Sequence, residues 1–264
     1  KGDGQLLFML NGLAKLKDDG QMAIIQNGSS LFNGDAGSGP SEIRRYLIEN
    51  DWLDAIVQLP GNAFYNTPIA TYIWIVMKNK PVTHQGKVQL IDASACASSR
   101  RKNIGEKKVD ITKACRDLII EAYGAYVNDT YNGVDENNNT IVVKSKVMDA
   151  VDLGYNKIVV ETPQFDEDGN VIMKKKKPVA DTSKRDTENV PLAEDIDDYF
   201  EREVIPYNQQ AWIDKSKTKV GYEIPFTRTF YEYKQIEPSD VIAARIEEHE
   251  KSLMAKLHDL FGGE

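Results

Sequence analysis

Two aromatic and two carboxamide side chains crowd one short stretch, residues 60–68. Phe64 and Tyr65 stand there between Asn62 and Asn66. Residues of these types at the end of a predicted sheet point to a functional loop, because loops on a rigid scaffold carry a disproportionate share of binding and catalytic residues. The alternative is that both rings pack under the loop as a small satellite core.

A glycine-rich stretch, residues 27–40, lies between a predicted strand and a predicted helix, as phosphate-cradling loops do. Its glycines do not follow the pattern G-x-G-x-x-G, and no Lys-Ser or Lys-Thr pair follows them. Neither dinucleotide binding nor a P-loop is therefore supported. We interpret this stretch as a flexible loop over a site.

Charged side chains concentrate in two further stretches. Residues 194–203 hold many carboxylates, but their helical pattern predicts a solvated face rather than a metal or acid–base site. Arg100, Arg101 and Lys102 belong to a predicted basic loop, residues 98–108. These three side chains are candidates for contacts with nucleic-acid phosphates, with ordinary solvated surface as the alternative.

The bulk composition excludes several classes of protein. A net charge of −8 speaks against nucleic-acid binding by bulk charge, although local basic patches or another subunit could hold the phosphates. No apolar run approaches the roughly 20 residues that span a bilayer. Cys96 and Cys115 fit structural thiols in a reducing cytoplasm, and His84, His249 and His258 are too scattered for a metal site.

Two predicted strands must position the aromatic loop. Residues 55–59 and 69–77 are short apolar runs rich in Ile, Val, Trp and Tyr. The loop between them is too short for a parallel crossover, so they should be antiparallel neighbours. Upstream, the order helix, strand, helix, strand is typical of a parallel α/β sheet, whose edge residues 69–77 would close. Residues 87–92 add a further candidate strand.

The helix before residues 55–59 has a readable pattern. Ser41 can cap it, and Ile43, Tyr46 and Leu47 lie on its apolar stripe, with Arg44 and Arg45 facing away.

The composition changes after residue 97, and we predict three segments: residues 1–97, 98–190 and 191–264. The second contains a helix over residues 111–126 and a polar, mobile stretch over 128–140. Further elements are strands over 157–162 and 170–173 around a turn at Asp168-Gly169, a linker over 181–189, an acidic helix over 192–204 and a terminal amphipathic helix over 239–261.

Four long segments resemble the modification (M) subunits of type I restriction–modification systems. They are residues 20–80 (from GQMAIIQNGSS to TYIWIVMKNK), 87–107 (KVQLIDASACASSRRKNIGEK), 152–163 (DLGYNKIVVETP) and 190–233 (from VPLAEDIDDYF to TRTFYEY). The resemblance covers most of the chain.

The resemblance implies transfer of a methyl group from S-adenosylmethionine to the N6 amine of adenine in DNA. It implies an α/β fold: the C-terminal half of a class I methyltransferase sheet with an antiparallel edge strand, followed by an α+β tail ending in a helix. In related enzymes a Phe before the last strand packs against the extruded base, and Phe64 matches that position. Its expected neighbours in the base pocket are Tyr65, Asn66, Thr67, Asn27 and Gly28.

Two features of the family are missing from these 264 residues. They are the catalytic Asn-Pro-Pro-aromatic tetrapeptide and the glycine-containing cofactor motif with its ribose-binding acid. Residues 1–13 resemble the segment just past the tetrapeptide. We therefore expect a C-terminal fragment without catalytic residues, which is inactive alone and has no metal site.

The resemblance also implies partners: DNA, a specificity (S) subunit that reads the target, and a motor-nuclease (R) subunit. The helix over residues 239–261 is a candidate contact with the S subunit, with packing on its own domain as the alternative. A non-catalytic assembly or DNA-contact module with an inherited fold is the alternative function. An orphan or combined restriction–methylation enzyme is a third.

Overall fold

A six-stranded mixed sheet organises the protein in the computed structural model, which describes residues 4–233 and 236–261. The start of the segment compared with the family's post-tetrapeptide region, residues 1–3, lies outside the described residues. The chain divides into two compact units, one ending at Phe230 and one beginning at Tyr231, and each is described by itself.

Helices and strands of the described residues are numbered in chain order. The helices are α1 (Gly4–Lys15), α2 (Ser29–Phe32), α3 (Gly39–Glu49), α4 (Lys113–Ala125), α5 (Ile196–Glu203), α6 (Phe226–Thr229) and α7 (Ser239–Phe261). The strands are β1 (Gln21–Asn27), β2 (Leu53–Gln58), β3 (Thr71–Met77), β4 (Lys87–Asp92), β5 (Ser98–Ile104), β6 (Lys107–Asp110), β7 (Asp129–Val134), β8 (Thr140–Asp149), β9 (Gly154–Glu161), β10 (Met173–Lys174), β11 (Lys177–Pro178), β12 (Asp186–Pro191), β13 (Trp212–Ile213) and β14 (Lys219–Tyr222).

The central sheet has the strand order β1-β3-β2-β4-β8-β7. β2 and β3 are antiparallel neighbours, and β2 and β4 are parallel, so the predicted α/β class and the predicted hairpin are confirmed. One detail differs: β3 lies between β1 and β2 and does not close the edge. The crossover through α2 and α3 leaves room for one strand between β1 and β2. The short loop after β2 then leads into β3, which occupies that position.

Two apolar cores cover the two faces of this sheet, because alternate residues of a strand point to opposite sides. On one face the stripe Leu6, Met9 and Leu13 of α1 packs in one cluster with the fully buried Trp74 of β3. On the other face α4 contributes to a second cluster. Sheet strands from both sides of residue 97 share these cores, and the predicted three-segment division stays a prediction.

Helix α3 differs from its predicted pattern at three residues. Tyr46 of the predicted apolar stripe is 48% exposed, and Arg44 and Ser41 have other roles. Arg44 is fully buried rather than exposed, and its Nε donates to the Tyr222 carbonyl at 2.6 Å. Ser41 does not cap the helix; its Oγ accepts the backbone N–H of Tyr222 at 3.0 Å. Both side chains instead attach β14 to α3, and the helix begins at Gly39 after Ser38.

Three segments predicted as loops or linkers contain strands. The basic stretch forms the hairpin β5–β6, residues 128–140 hold β7 and the turn that leads into β8, and the predicted linker contains β12, which pairs with β9. These strands are polar, so they lack the apolar alternation by which a strand is recognised in a sequence. Backbone ladders and turn contacts hold them; the Asp135 carboxylate, for example, accepts the N–H groups of Asn137 and Asn139, each at 2.8 Å.

The remaining predicted helices are present. α5 is shorter than the predicted residues 192–204, because the Asp195 carboxylate caps it by accepting the N–H groups of Asp197 and Asp198. In the second unit α7 is a 23-residue helix. Among the residues that the structure describes, no helix has the length and apolar character to cross a membrane.

Candidate functional site

Three strands, β1, β2 and β4, end on the same side of the central sheet. We call this side the carboxyl edge, as distinct from the outer strands of the sheet. Asn27 ends β1 and pairs with Thr71, the first residue of β3. Gln58 ends β2 and pairs with Asp92, the last residue of β4. This edge is where ligands bind in open α/β sheets, and the aromatic loop, residues 59–70, leaves β2 and enters β3 there.

The aromatic loop is a small ordered hairpin. The Asn62 N–H donates to the Pro68 carbonyl at 3.0 Å, and Phe64 and Thr67 form a β-bridge around a tip made of Tyr65 and Asn66. Phe64 is partly exposed and packs against the core cluster on the α4 face, whereas Tyr65 is 68% exposed. Packing under the loop, the alternative to a functional role, therefore accounts for one side of Phe64 and does not account for Tyr65.

The hairpin β5–β6 braces this loop. The N–H groups of Lys108 and Glu106 donate to the carbonyls of Asn62 and Tyr65, each at 2.9 Å, and Asn62 Nδ2 donates to the Glu106 carbonyl at 3.0 Å. Gly105 has φ +55°, and a Cβ there would stand 2.5 Å from the Tyr65 carbonyl oxygen. Only glycine permits this approach. The brace was not predicted, and Gly105 inside a basic run is the signal that points to it.

The predicted phosphate contacts lie on the bracing hairpin. Arg100 Nη1 approaches the two carboxylate oxygens of Asp110 at 2.5 and 2.6 Å, so its charge already has a partner. The Lys107 ammonium and the Arg100 guanidinium lower the pKa of Asp110. Arg101 and Lys102 are exposed. The structure thus brings the basic stretch and the aromatic loop together.

Asn27 and Gly28 form the turn from β1 into α2. The Asn27 carboxamide oxygen accepts from the Ser29 N–H at 3.0 Å and from the Ser29 hydroxyl at 2.5 Å. A Cβ on Gly28 would stand 3.2 Å from Cε2 of Tyr72, so the turn is packed closely against β3. Both residues thus lie at the sheet edge that carries the aromatic loop.

Comparison with known proteins gives the family. The model of the N-6 DNA methylase family matches residues 1–164, more than half of the chain. The chain belongs to the N-6 DNA methylase family. Among curated relatives, the methylase subunit of the type I restriction enzyme MjaIX of Methanocaldococcus jannaschii is 31% identical over 105 residues, which are 39% of this chain and 18% of the relative. The MpnII methylase subunit of Mycoplasma pneumoniae is 37% identical over 76 residues, 28% of this chain and 13% of the relative.

These findings confirm the predicted resemblance to type I modification subunits. The matched segments span less than a fifth of these two relatives. Among solved structures, the methyltransferase subunit of a type I restriction-modification system from Streptococcus thermophilus is 27% identical, with a TM-score of 0.46 over 58% of this chain and 28% of that one. The strand order given above, and not this likeness, defines the fold.

Two polar groups at the same edge of this N-6 DNA methylase sheet were not predicted. Gln26 and Thr71 are 4% and 7% exposed, and Gln26 Oε1 and Thr71 Oγ1 have no hydrogen-bond partner among the described residues. A buried polar atom without a partner costs about 1–3 kcal/mol, which sets these two positions apart from the paired polar groups of the sheet. No local sequence pattern predicts the burial of either residue, because their burial depends on strand register alone.

A second polar cluster lies at the opposite edge, where β2 begins. The fully buried Asp54 carboxylate accepts from the Tyr123 hydroxyl at 2.7 Å and is 2.9 Å from His84 Nδ1. The His84 ring stacks on Tyr126 with centroids 3.5 Å apart. These contacts enclose the carboxylate and give His84 a structural role. Within residues 4–233 and 236–261 no group of His, Cys, Asp and Glu could hold a metal ion.

Proposed function

We propose that this chain supplies the base-binding part of a DNA adenine N6-methyltransferase, the modification subunit of a type I restriction–modification system. The observation that carries the proposal is the aromatic loop: a half-buried Phe64 and an exposed Tyr65 are held at the carboxyl edge of the sheet by a second hairpin. Membership of the N-6 DNA methylase family supports it.

The proposal gives the predicted site residues distinct roles. An adenine that leaves the duplex loses stacking worth a few kcal/mol and needs a replacement partner. The exposed side of Phe64 supplies a ring face, while its other side stays fixed on the core. Tyr65, Asn66 and Thr67 border the base from the loop tip, and Asn27 and Gly28 border it from the neighbouring strand. Arg101 and Lys102 contact the DNA backbone, and Arg100 does so while sharing its charge with Asp110.

The glycine-rich turn between β1 and α3 does not fit the methyl donor, S-adenosylmethionine. A Cβ on Gly34 would stand 2.4 Å from Ser38 Oγ, so this glycine serves packing within the loop. Asp35 is held by Lys157 Nζ at 2.8 Å and does not present a free carboxylate to a ribose. We therefore propose no contact between this turn and the methyl donor.

The proposed partners follow from the same family. They are DNA, a specificity subunit and a motor-nuclease subunit, in the cytoplasm. α7 exposes Ile246, Leu253 and Leu257, and we propose this apolar face as the contact with the specificity subunit. The buried, free thiols of Cys96 and Cys115 agree with a reducing compartment. Burial and the neighbouring Cys115 raise the pKa of Cys96 to about 12, so this thiol is unreactive at neutral pH.

Methylation of adenine in duplex DNA by the full-length protein with its specificity subunit tests this function. Phe64→Leu keeps apolar packing on the core and removes the ring face. Stacking on an aromatic side chain is worth about 1–3 kcal/mol per base, so we expect methyl transfer to fall roughly 5- to 150-fold.

Phe230→Leu is the matched packing control, because Phe230 is also partly buried but lies by α6. It should lower the melting temperature without a comparable loss of methyl transfer. Unchanged transfer by Phe64→Leu would return Phe64 to a packing role. A wild-type complex without any transfer would favour the non-catalytic module.

A further inference from the structure

A small arm, residues 162–181, extends from the end of β9. Three short segments pair within it, and its base is closed by the Asp181 N–H, which donates to the Thr162 carbonyl at 2.7 Å. Further pairs are Pro163 with Ala180, Phe165 with Val171, and Met173 with Pro178. The arm therefore has its own ladder, which closes two turns.

The second turn, Lys174 to Lys177, breaks two local rules. Lys175 and Lys176 form its corner with φ +52° and φ +62°, in the left-handed region that hairpin turns normally fill with Asn-Gly. Lys174 and Lys177 pair directly across the ladder, where like charges repel. A turn that goes against local preference in both backbone and charge is expected at functional positions rather than in passive surface.

The charges of this turn are also unpaired. Within the described chain, none of the four ammonium groups has a carboxylate within 4.0 Å. Other basic residues near the arm are engaged: Lys184 with Asp181 at 3.7 Å and Arg185 with Glu161 at 2.8 Å. The turn is thus a compact, uncompensated patch of four positive charges on a protein with a net charge of −8.

We propose that Lys174–Lys177 is a second nucleic-acid contact, which holds phosphates of duplex DNA outside the base-binding edge. Four ammonium groups on one short turn can neutralise neighbouring phosphates, and binding them relieves the repulsion between Lys174 and Lys177. The hairpin also removes the freedom that a mobile lysine run would lose on binding. This inference rests on the proposed function in taking DNA as the partner.

Fluorescence anisotropy of the 264-residue chain with a labelled 30-base-pair duplex, from about 50 to 200 mM salt, tests the proposal. The informative variant is Lys175→Asn/Lys176→Gly, which installs the preferred turn and removes two charges. We expect the slope of log affinity against log salt to shrink by about 1.8, since each phosphate contact contributes about 0.9, and affinity to fall at least about tenfold near 100 mM salt. The melting temperature of this variant should rise, because Asn-Gly adopts the positive φ angles of the turn more readily than two lysines do.

Lys251→Gln/Lys256→Gln is the control, because it removes the same charge from exposed positions of α7. It should leave the slope unchanged. Equal slopes for wild type and turn variant, an equal decrease in the control, or no binding of duplex by the wild type would each overturn the proposal; in the last case, an acidic protein becomes the partner to seek. Phe64→Leu should retain the wild-type slope, so this assay does not depend on methyl transfer.

Discussion

Two basic hairpins of this chain look alike in sequence and differ in the structure. The hairpin β5–β6 carries Arg100 and Lys107, whose charges converge on Asp110, and its turn is bonded to the aromatic loop. The turn of the arm carries four lysines that have no carboxylate partner among the described residues. Arg100 and Lys107 of the first hairpin are thus neutralised within the hairpin, whereas the lysines of the second have no such partner in the described part of the chain.

Backbone conformation also distinguishes the two hairpins. Gly105 has a positive φ and meets a carbonyl of another loop, so its lack of a side chain is required twice, for conformation and for space. Lys175 and Lys176 have positive φ without being glycine. A long side chain at these positions carries a conformational cost, which is consistent with the proposal that the side chain itself is used.

The largest expected effect comes from Gly105→Ala. The new Cβ would stand 2.5 Å from the Tyr65 carbonyl oxygen at φ +55°, so the brace must separate from the aromatic loop. We expect the free energy of unfolding in urea to fall by about 3 kcal/mol, from left-handed strain and lost contacts together. Methyl transfer by the full-length complex should fall as well.

Gly169→Ala is the matched control in the arm. Gly169 has φ +82°, and a Cβ at this position would have no atom within 4 Å, so only the conformational cost of about 1–2 kcal/mol remains. If the two substitutions destabilise equally, the brace contributes nothing beyond backbone preference and the comparison between the hairpins fails.

A smaller effect is expected from Asp110→Asn, which frees Arg100 and Lys107. Because Asp110 is a surface partner, the loss of stability should be at most about 1 kcal/mol. The lowered pKa of Asp110 sets the sign: its contribution is present above the ordinary pKa of 3.8 and is lost as pH falls through the lowered value. Wild type and variant should therefore converge in acid unfolding below that range.

The salt dependence of DNA binding provides a second measurement on the Asp110→Asn variant. With Arg100 and Lys107 released, the β5–β6 hairpin becomes as uncompensated as the arm turn, and the salt slope of duplex binding should steepen by about 1–2. Asp117→Asn serves as the control, because it breaks an exposed pair with Lys113 on α4. A slope unchanged by Asp110→Asn would show that the bracing hairpin does not face DNA.

The sequence predicted local features of this fold better than distant ones. The β2–β3 hairpin was readable because two apolar runs flank a short loop. The place of β3 between β1 and β2 was not, because strand order depends on a crossover that leaves no local pattern. The helical pattern places Arg44 on the surface, because no local feature reveals its partner Tyr222, which lies 178 residues away.

The candidate site shows the same division. Phe64 and Tyr65 were visible as aromatics at a strand end, and their relation to the predicted phosphate contacts was not. That relation depends on hydrogen bonds between residues more than 40 positions apart, such as Asn62 with Glu106. Polar hairpins of this kind are specified by turn chemistry and backbone pairing, which the search for apolar periodicity does not detect.

The smallest effect on stability is expected from Arg101→Gln/Lys102→Gln. Both side chains are exposed on β5, so the free energy of unfolding should change by no more than about 0.5 kcal/mol. If both contact phosphates, the salt slope of duplex binding should shrink by about 1.8 without the rise in melting temperature expected for the arm variant. Lys251→Gln/Lys256→Gln again controls for net charge. An unchanged slope would assign these two residues to solvated surface and leave the arm turn as the stronger basic contact.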